Sequence, residues 1–272
     1  MHLVPLLMYA AATATYMTHF AWRDTRAGRL ATALLGGGIL AHTFVIGMQT
    51  VQAGHAPLVG TSAAISAFVW LLGLAYLYIE LSTEERSMGV FVATLMVALY
   101  IIPALDPAVT PRPPLLRSPL FTVHIMSTLL AYASFALACV LGITYVLLFK
   151  EIKAKHLGFF YARLPSLQVL DVMNGRAVTV GWVFLTLGVT IGGIWATQID
   201  RSTDPRAQAM SLADPKILVA MFSWGIYTFA LFARRAIGWS GRRAAYLSAI
   251  AFVIVLLNFV PVGFFLTKSH NF

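Results

Sequence analysis

Eight apolar stretches, each close to the length needed to cross a lipid bilayer, follow one another through the chain. A transmembrane helix needs about 20 predominantly apolar residues. This ruler places spans near residues 3–22, 30–50, 61–81, 88–103, 119–149, 177–198, 213–233 and 244–266. Backbone groups left unpaired in lipid are costly, and no segment shows the alternation that is typical of barrel strands. The sequence therefore predicts an all-α, polytopic membrane protein with about eight transmembrane helices.

Composition excludes several other classes of protein. A mean hydropathy of +0.80 with only 11% charged residues is incompatible with a soluble domain of 272 residues. The net charge of +9 does not indicate a nucleic-acid partner, because most basic residues lie in short connections between apolar stretches, where they orient helices. The single cysteine, Cys139, leaves no disulfide framework and no CxxC pair. The first apolar stretch continues to Trp22 with no basic region before it, which favours a retained helix over a cleaved signal.

Basic residues alternate between the two sides of the predicted membrane. The larger group comprises Arg23, Arg26, Arg29, Arg86, Lys150, Lys153, Lys155, Arg163, Arg176, Arg234, Arg235, Arg242 and Arg243. The smaller group comprises Arg112, Arg117, Arg201, Arg206, Lys216 and Lys268. The positive-inside rule assigns the larger group to the cytoplasm. With an even number of spans, both termini are then expected outside the cytoplasm.

The histidines are unevenly distributed on this topology. Four of the seven fall toward the outer side: His2, His55, His124 and His270. An imidazole near a membrane interface can cap a helix or ligate a metal, and several arriving at one depth favour the second role, since a bis-histidine haem site needs two that meet. His42, near the middle of the second span, is expected either to form a hydrogen bond between helices or to act as a ligand or relay. A quinone-linked cytochrome b would need a second histidine at the depth of His42.

Three features are given structural interpretations. Glycines 36–38 are expected to allow close helix packing. The acids Glu80, Glu84 and Glu85 are expected to form the solvated end of the third span. The connection 150–176 is long enough for an amphipathic helix on the membrane surface, with residues 156–160 at the interface.

Several short segments resemble those of the CcsA/ResC family of cytochrome c biogenesis proteins. Residues 54–58 (GHAPL) resemble the family's GHFPLSN segment. Residues 164–171 (LPSLQVLD), with Asn174 and Arg176, are similar to its RLPSLxxLDxLNYR segment. Residues 192–196 (GGIWA) resemble the GxVWA that precedes the family's outward tryptophan-rich loop.

The order of further matches supports the same family. Residues 214–216 (DPK), Trp224 and residues 239–243 (WSGRR) follow in the order of DPKE, the subsequent TW and the WKGK turn. The resemblance covers roughly residues 40–270, so the whole chain, 1–272, is expected to be one transmembrane cytochrome c assembly domain.

The resemblance implies a multi-pass protein of the plasma (inner) membrane that handles haem on the outer side during cytochrome c maturation. Haem b would be a transient ligand, with a ResB-like membrane protein as partner and apocytochrome c as a possible further one. By position, His124 and His270 match the family's two axial histidines, which flank the loop. His55 matches a membrane-side ligand, and Trp195 with the loop to Asp214 would form the wall of the site.

Departures from the family pattern leave an alternative open. The residues before Asp214 are Ser211, Leu212 and Ala213, so the tryptophans of the family's loop are missing. Phe232 stands where the family has a second intramembrane histidine. HemX/YpjD-type relatives share such a loop, and a non-catalytic regulator or scaffold linked to haem biosynthesis is therefore the second hypothesis. The sequence carries no catalytic motif of its own, and whether it contributes to a system II cytochrome c synthase stays open.

Overall fold

The fold is entirely helical in the part of the chain that the structure describes. A computed structural model describes residues 1–107, 116, 118–155, 158–198 and 215–257. Its eight helices are α1 Leu3–Trp22, α2 Thr25–Ala53, α3 Thr61–Thr83, α4 Gly89–Leu105, α5 Pro119–Lys153, α6 Leu167–Gln198, α7 Pro215–Ala236 and α8 Arg242–Leu257. The all-α prediction is confirmed, and each helix overlaps a predicted span.

Five of these helices are long and apolar enough to cross a membrane: α2, α3, α5, α6 and the segment Ile217–Ala236 of α7. Helix α4 is a shorter apolar helix. The chain is therefore a multi-pass membrane protein, as predicted. Among the described residues, α1 and α8 do not meet the same requirement for length and apolar composition. The predicted span 244–266 runs beyond Leu257, the last residue that the structure describes.

Consecutive helices run antiparallel, so the connections gather at two opposite ends of the bundle. At one end, the Gln49 amide of α2 lies 3.4 Å from the His2 ring before α1. At the same end, Ser62 of α3 donates a 2.8 Å hydrogen bond to the Asp106 carbonyl after α4. We call this the histidine end, because His2, His55 and His124 lie in its connections or first helical turns.

The opposite end carries the arginines of the larger basic group. Arg23 after α1 donates to the Ala162 carbonyl before α6. Arg176 of α6 donates to the Ser82 carbonyl at the end of α3. We call this the basic end, defined by Arg23, Arg86, Arg176 and Arg234. The separation of basic and histidine-bearing connections that the sequence predicts is present in the fold, whereas which end faces the cytoplasm stays a prediction.

Small residues let α1 and α2 approach closely. A Cβ added at Gly37 would lie 2.6 Å from the Met8 Cε, and one added at Gly38 would lie 2.8 Å from the Tyr9 ring. The Gly38 contact is with a ring and leaves no room for an alanine, which confirms the expected packing role at this position. The Gly37 contact is with the end of a flexible side chain, which can move aside. Gly36 has open space around its Cα.

Helices α6 and α7 are joined within the bundle by a reciprocal pair of indole hydrogen bonds. The Trp182 Nε1 of α6 donates to the Thr228 hydroxyl at 2.8 Å. The Trp224 Nε1 of α7 donates to the Thr186 hydroxyl at 2.9 Å. An indole N–H has no water to bond in lipid, so each tryptophan fixes the register of one helix against the other.

The first turns of α6 hold three helices together at the basic end. Asp171 accepts hydrogen bonds from the Arg234 guanidinium of α7 at 2.9 Å and from the Gly241 backbone N–H before α8 at 2.8 Å. Asn174 donates to the Ala138 carbonyl of α5 at 2.8 Å and accepts from the Ser248 hydroxyl of α8 at 3.1 Å. The sequence segment with the clearest family resemblance is therefore a structural junction.

Glu80 is buried, and the prediction of a solvated acidic end is wrong for this residue. Its side chain is 0% exposed, the Tyr16 hydroxyl donates to Oε2 at 2.6 Å, and the Thr32 hydroxyl donates to Oε1. The Arg86 Nε lies 3.9 Å from Oε1. Helices α1 and α2 cover the end of α3 and bring Tyr16 and Thr32 from far away in sequence. Glu84, at the C-cap of α3, is exposed as predicted.

The expected surface helix between α5 and α6 is absent from the described residues. Helix α5 continues to Lys153, α6 begins at Leu167, and residues 159–163 between them form turns. Ser166 accepts a 3.3 Å hydrogen bond from the Val169 N–H, as a residue that starts a helix does. Helices α5 and α6 thus take up much of the predicted connection 150–176. Residues 156–157 lie outside the described residues.

Glu80→Gln is expected to lower the free energy of unfolding by about 1–3 kcal/mol. The amide would turn donors toward hydroxyls that now donate to the carboxylate. Thermal unfolding of the purified protein in detergent, followed by circular dichroism, measures the effect.

Glu84→Gln is the matched control for this substitution. Because Glu84 is exposed at the same helix end, its change should stay within about 0.5 kcal/mol. Equal unfolding temperatures for the two variants would contradict the assigned role of the Glu80 contacts.

Candidate functional site

A small apolar cluster closes the histidine end of α5 and α6. It consists of Val59, Leu116, Phe121 and Trp195, all buried. The rings of Phe121 and Trp195 lie 5.0 Å apart between centroids and are tilted by 55°. We call it the Trp195 cluster. It joins the loop before α3, the start of α5 and the end of α6, so these three segments are held at one place.

The start of α5 is fixed by its local sequence. Ser118 is the N-cap and accepts a 3.2 Å hydrogen bond from the Leu120 N–H, and Pro119 occupies the first helical position. Phe121 and His124 are then three residues apart and lie on neighbouring positions of one helix face. The residue that anchors α5 in the Trp195 cluster therefore also sets where the His124 ring lies.

His124 is held against α6 by a hydrogen bond to backbone. Its Nδ1 lies 2.7 Å from the Gly188 carbonyl oxygen, and a carbonyl can only accept, so Nδ1 carries the proton. The lone pair of the neutral ring is then on Nε2. Histidines that bind iron or other metals commonly have this arrangement, because the second hydrogen bond fixes the tautomer and the ring orientation.

Gly192 provides the space that the His124 ring fills. A Cβ added at Gly192 would lie 2.5 Å from the His124 Nδ1 and 2.6 Å from its Cε1. Gly193, the next residue, has nothing within 4 Å of its added Cβ. The first glycine of the GGIWA segment is thus a packing requirement of the histidine.

His55 lies in the loop between α2 and α3 at the same end of the bundle. Gly54 ends α2 in the left-handed region with φ of 70°, which turns the chain. The His55 Nδ1 lies 3.2 Å from the Ala56 carbonyl oxygen, which again places the lone pair on Nε2. Pro57, Leu58 and Val59 are buried and anchor the loop, while His55 itself is partly exposed.

Trp195 is placed with these histidines, but its indole is only 6% exposed. It packs on Phe121 and so supports the surface on which the loop before α3 and the start of α5 rest. The remaining predicted site residues, Asp214 and His270, lie outside the described residues. Three of the five predicted residues, His55, His124 and Trp195, are therefore found at one end of the fold.

His2 adds a further imidazole at the histidine end. It is the N-cap of α1 and lies beside Gln49. Burial lowers the pKa of His2, which favours the neutral ring near pH 7. The sequence placed His2 on this side but assigned it no role.

His42 is a structural residue in this fold. It is fully buried, its Nδ1 lies 3.1 Å from the Tyr9 hydroxyl, and its Nε2 lies 2.9 Å from the Ser66 hydroxyl. Both ring nitrogens are therefore used in contacts to α1 and α3. The interpretation as a hydrogen bond between helices is confirmed, and a cytochrome b with a haem at this depth loses its one candidate ligand.

Phe232 points away from the bundle. It is 58% exposed on α7, so the position that the resemblance matches to a second intramembrane histidine faces away from the neighbouring helices. Within the described residues there is no group of three or more His, Cys, Asp or Glu side chains that could hold a metal ion. Of the predicted ligands among the described residues, His55 and His124 each have Nδ1 beside a backbone carbonyl.

Comparison with known families identifies the chain. Residues 58–270 match the family described as Cytochrome C assembly protein. The chain belongs to this family. The resemblance seen in the short segments of the sequence is thereby confirmed over the stretch that contains α3 to α8 and the Trp195 cluster.

Individual relatives of the family are distant in sequence but similar in length. The protein is 26% identical over 253 residues to "Cytochrome c biogenesis protein CcsA" of Guillardia theta, covering 85% of this chain and 81% of the relative. It is 25% identical to the CcsA of Chlorella vulgaris over 87% of this chain and 84% of the relative. For the CcsA of Synechococcus sp. (strain WH7803) the values are 23%, 98% and 94%.

Gly192→Ala is expected to displace the His124 ring and to lower the free energy of unfolding by about 1–3 kcal/mol. The added methyl would overlap the imidazole, which cannot move away without breaking its bond to Gly188. Chemical or thermal unfolding in detergent measures the change.

Gly193→Ala is the matched control on the same helix turn. It meets open space, so it should be neutral or stabilise the helix by up to about 1 kcal/mol. If both variants unfolded alike, the tight packing of His124 against α6 would be refuted.

Proposed function

We propose that this protein handles haem at the outer face of the membrane during cytochrome c maturation. The observation that carries the proposal is the placement of His124. Its Nδ1 proton is fixed on α6, its lone pair is on Nε2, and it lies at the end of the bundle opposite the basic end. The family assignment supports the same function, since the chain matches cytochrome c assembly proteins over most of its length.

His124 and His270 are the proposed axial ligands of the haem iron. His124 contributes an imidazole from the start of α5, and His270 follows the eighth span in the sequence. The hydrogen bond to Gly188 makes the His124 ring a better electron donor and keeps its orientation, as partners behind a ligating histidine generally do.

His55 is the proposed membrane-side ligand. Its tautomer is the same as that of His124, and the buried residues 57–59 fix its loop on the Trp195 cluster. Trp195 and the loop to Asp214 are the proposed wall of the site. The proposed ligand is haem b, held transiently.

The proposed topology follows from the two ends of the fold. The basic end faces the cytoplasm and the histidine end faces outward, with both termini outside, in the plasma (inner) membrane. A ResB-like membrane protein is the proposed partner, and apocytochrome c would receive haem at the histidine end.

The double variant His124→Ala/His270→Ala is expected to lose haem. The protein is purified in detergent, and its absorption spectrum is taken with and without added haem. The unsubstituted protein should show a Soret band that the double variant lacks. No Soret band in the unsubstituted protein, or an unchanged band in the double variant, would refute the site.

His19→Ala is the matched control, since His19 lies at the basic end beside Asp24. It should keep the band. In the unsubstituted protein, occupancy should also fall as the pH falls through the histidine range, because only the neutral imidazole binds iron. A Soret band that is equally strong at acid pH would count against histidine ligation.

A second candidate is a HemX-type regulator or scaffold of haem biosynthesis. The outward position of Phe232 and the full use of both His42 nitrogens favour it, since neither residue offers a ligand within the membrane. Deletion of the protein distinguishes the two. Loss of covalently attached haem in c-type cytochromes supports the first function, and intact cytochromes with altered haem precursors support the second.

A further inference from the structure

A cleft opens at the basic end between α3, α6 and α7. It has a volume of about 410 Å³, and its lining includes Arg176, Arg234, Tyr78, Thr179 and Ser240. None of the residues at its wall belongs to the candidate haem site. The lining is mixed, since Val172 and Val180 add apolar surface beside the guanidinium and hydroxyl groups.

The cleft lies at the depth of a membrane interface. Arg176 is well inside α6, yet it donates a hydrogen bond to the Ser82 carbonyl, next to the last residue of α3. The first turns of α6 therefore project beyond the end of α3, and Arg176 is level with the place where α3 leaves the apolar layer. Tyr78, one turn before that end, has a side chain that is 54% exposed. Tyrosine and arginine together at this depth are typical of the headgroup region.

The charges of the cleft leave a net positive site. Asp171 is bonded to Arg234 at 2.9 Å and also accepts from the Gly241 N–H, so this ion pair is already satisfied. Arg176 has a single hydrogen bond, to the Ser82 carbonyl, within the described part of the chain. A guanidinium has five N–H donors, so most of those on Arg176 are available to a ligand. The cleft thus offers one uncompensated cation, flanked by hydroxyl groups.

The chemistry of this lining selects the class of ligand. The Arg176 guanidinium, with the Tyr78 and Ser240 hydroxyls beside it, suits a phosphate monoanion. The Thr179 hydroxyl is already used, since it donates to the Gly175 carbonyl at 2.8 Å. The valines suit the glycerol and first methylenes of a lipid. Haem would need an iron ligand, and the cleft lining contains no His, Cys or Met.

We propose that the cleft binds the phosphate headgroup of an anionic phospholipid from the leaflet at the basic end, with Arg176 as the main contact. A lipid held there connects α3 to the junction that Asp171 forms between α6, α7 and α8. The lipid would thereby stabilise the packing of the α3 end against the second half of the bundle.

The full chain is purified in detergent and mixed with phosphatidylglycerol or phosphatidylcholine, and retained lipid is counted by native mass spectrometry. The unsubstituted protein should retain one phosphatidylglycerol more tightly than phosphatidylcholine. Arg176→Gln should weaken this retention by at least about tenfold, because it removes charge-assisted hydrogen bonds. Arg176→Lys, which keeps the charge but loses the planar fork, should fall between the two.

Arg235→Gln is the matched control, because Arg235 is exposed next to Arg234 and outside the cleft. It should retain phosphatidylglycerol like the unsubstituted protein. Circular dichroism of each variant reports whether it is folded, and the Arg176→Lys result keeps the test valid if Arg176→Gln is unstable. Equal loss in the Arg176 and Arg235 variants, or equal retention of both lipids, would overturn the proposal.

Adding inorganic phosphate or haem as a competitor tests the two alternative ligands of the cleft. Inorganic phosphate at millimolar concentration should not displace the lipid, since it lacks the glycerol and acyl groups. Haem should also leave the lipid in place. Displacement by phosphate would overturn the lipid assignment in favour of a free-phosphate site, and displacement by haem that depends on Arg176 would overturn it in favour of a haem site.

Discussion

The absence of water from the membrane interior is the constraint on which this structure depends. A polar side chain at that depth has to find its partner on a neighbouring helix, and the fold meets this requirement repeatedly. His42 uses both ring nitrogens between α1 and α3, and the Trp182 and Trp224 indoles bond threonines across α6 and α7. Nearer the basic end, the buried Glu80 likewise accepts from hydroxyl groups of α1 and α2. Each contact specifies which helices are neighbours and at what register, which apolar packing alone specifies weakly.

Hydropathy predicted where the helices lie, but the ends of the helices required tertiary information. Helix α6 begins at Leu167, ten residues before the predicted span. Its first turns mix apolar and polar residues, and the contacts of Asp171 and Asn174 with other helices stabilise them. A prediction from the length of apolar stretches does not detect such a segment. Glu80 was misassigned for a related reason: its three partners are between 6 and 64 residues away, and a local pattern of three acids gives no indication that one of them is covered.

The candidate site was predicted from family resemblance more than from physics. The count of basic residues alone grouped His2, His55 and His124 on one side, and the fold places them at one end. The physical roles of Gly188, Gly192 and Phe121 could not be inferred, because each depends on α5 and α6 lying side by side. The glycine pair before Trp195 was the available signal, and only the geometry shows that its first member makes room for an imidazole.

The position of the His124 ring connects its chemistry to the packing of α5 against α6. The ring extends from α5, but its proton is held by a carbonyl of α6. Sliding of one helix along the other by a single residue, about 1.5 Å, would stretch that bond and change the electron density at the opposite nitrogen. If His124 ligates haem iron as proposed, the strength of that ligation would depend on how α5 and α6 are aligned along each other.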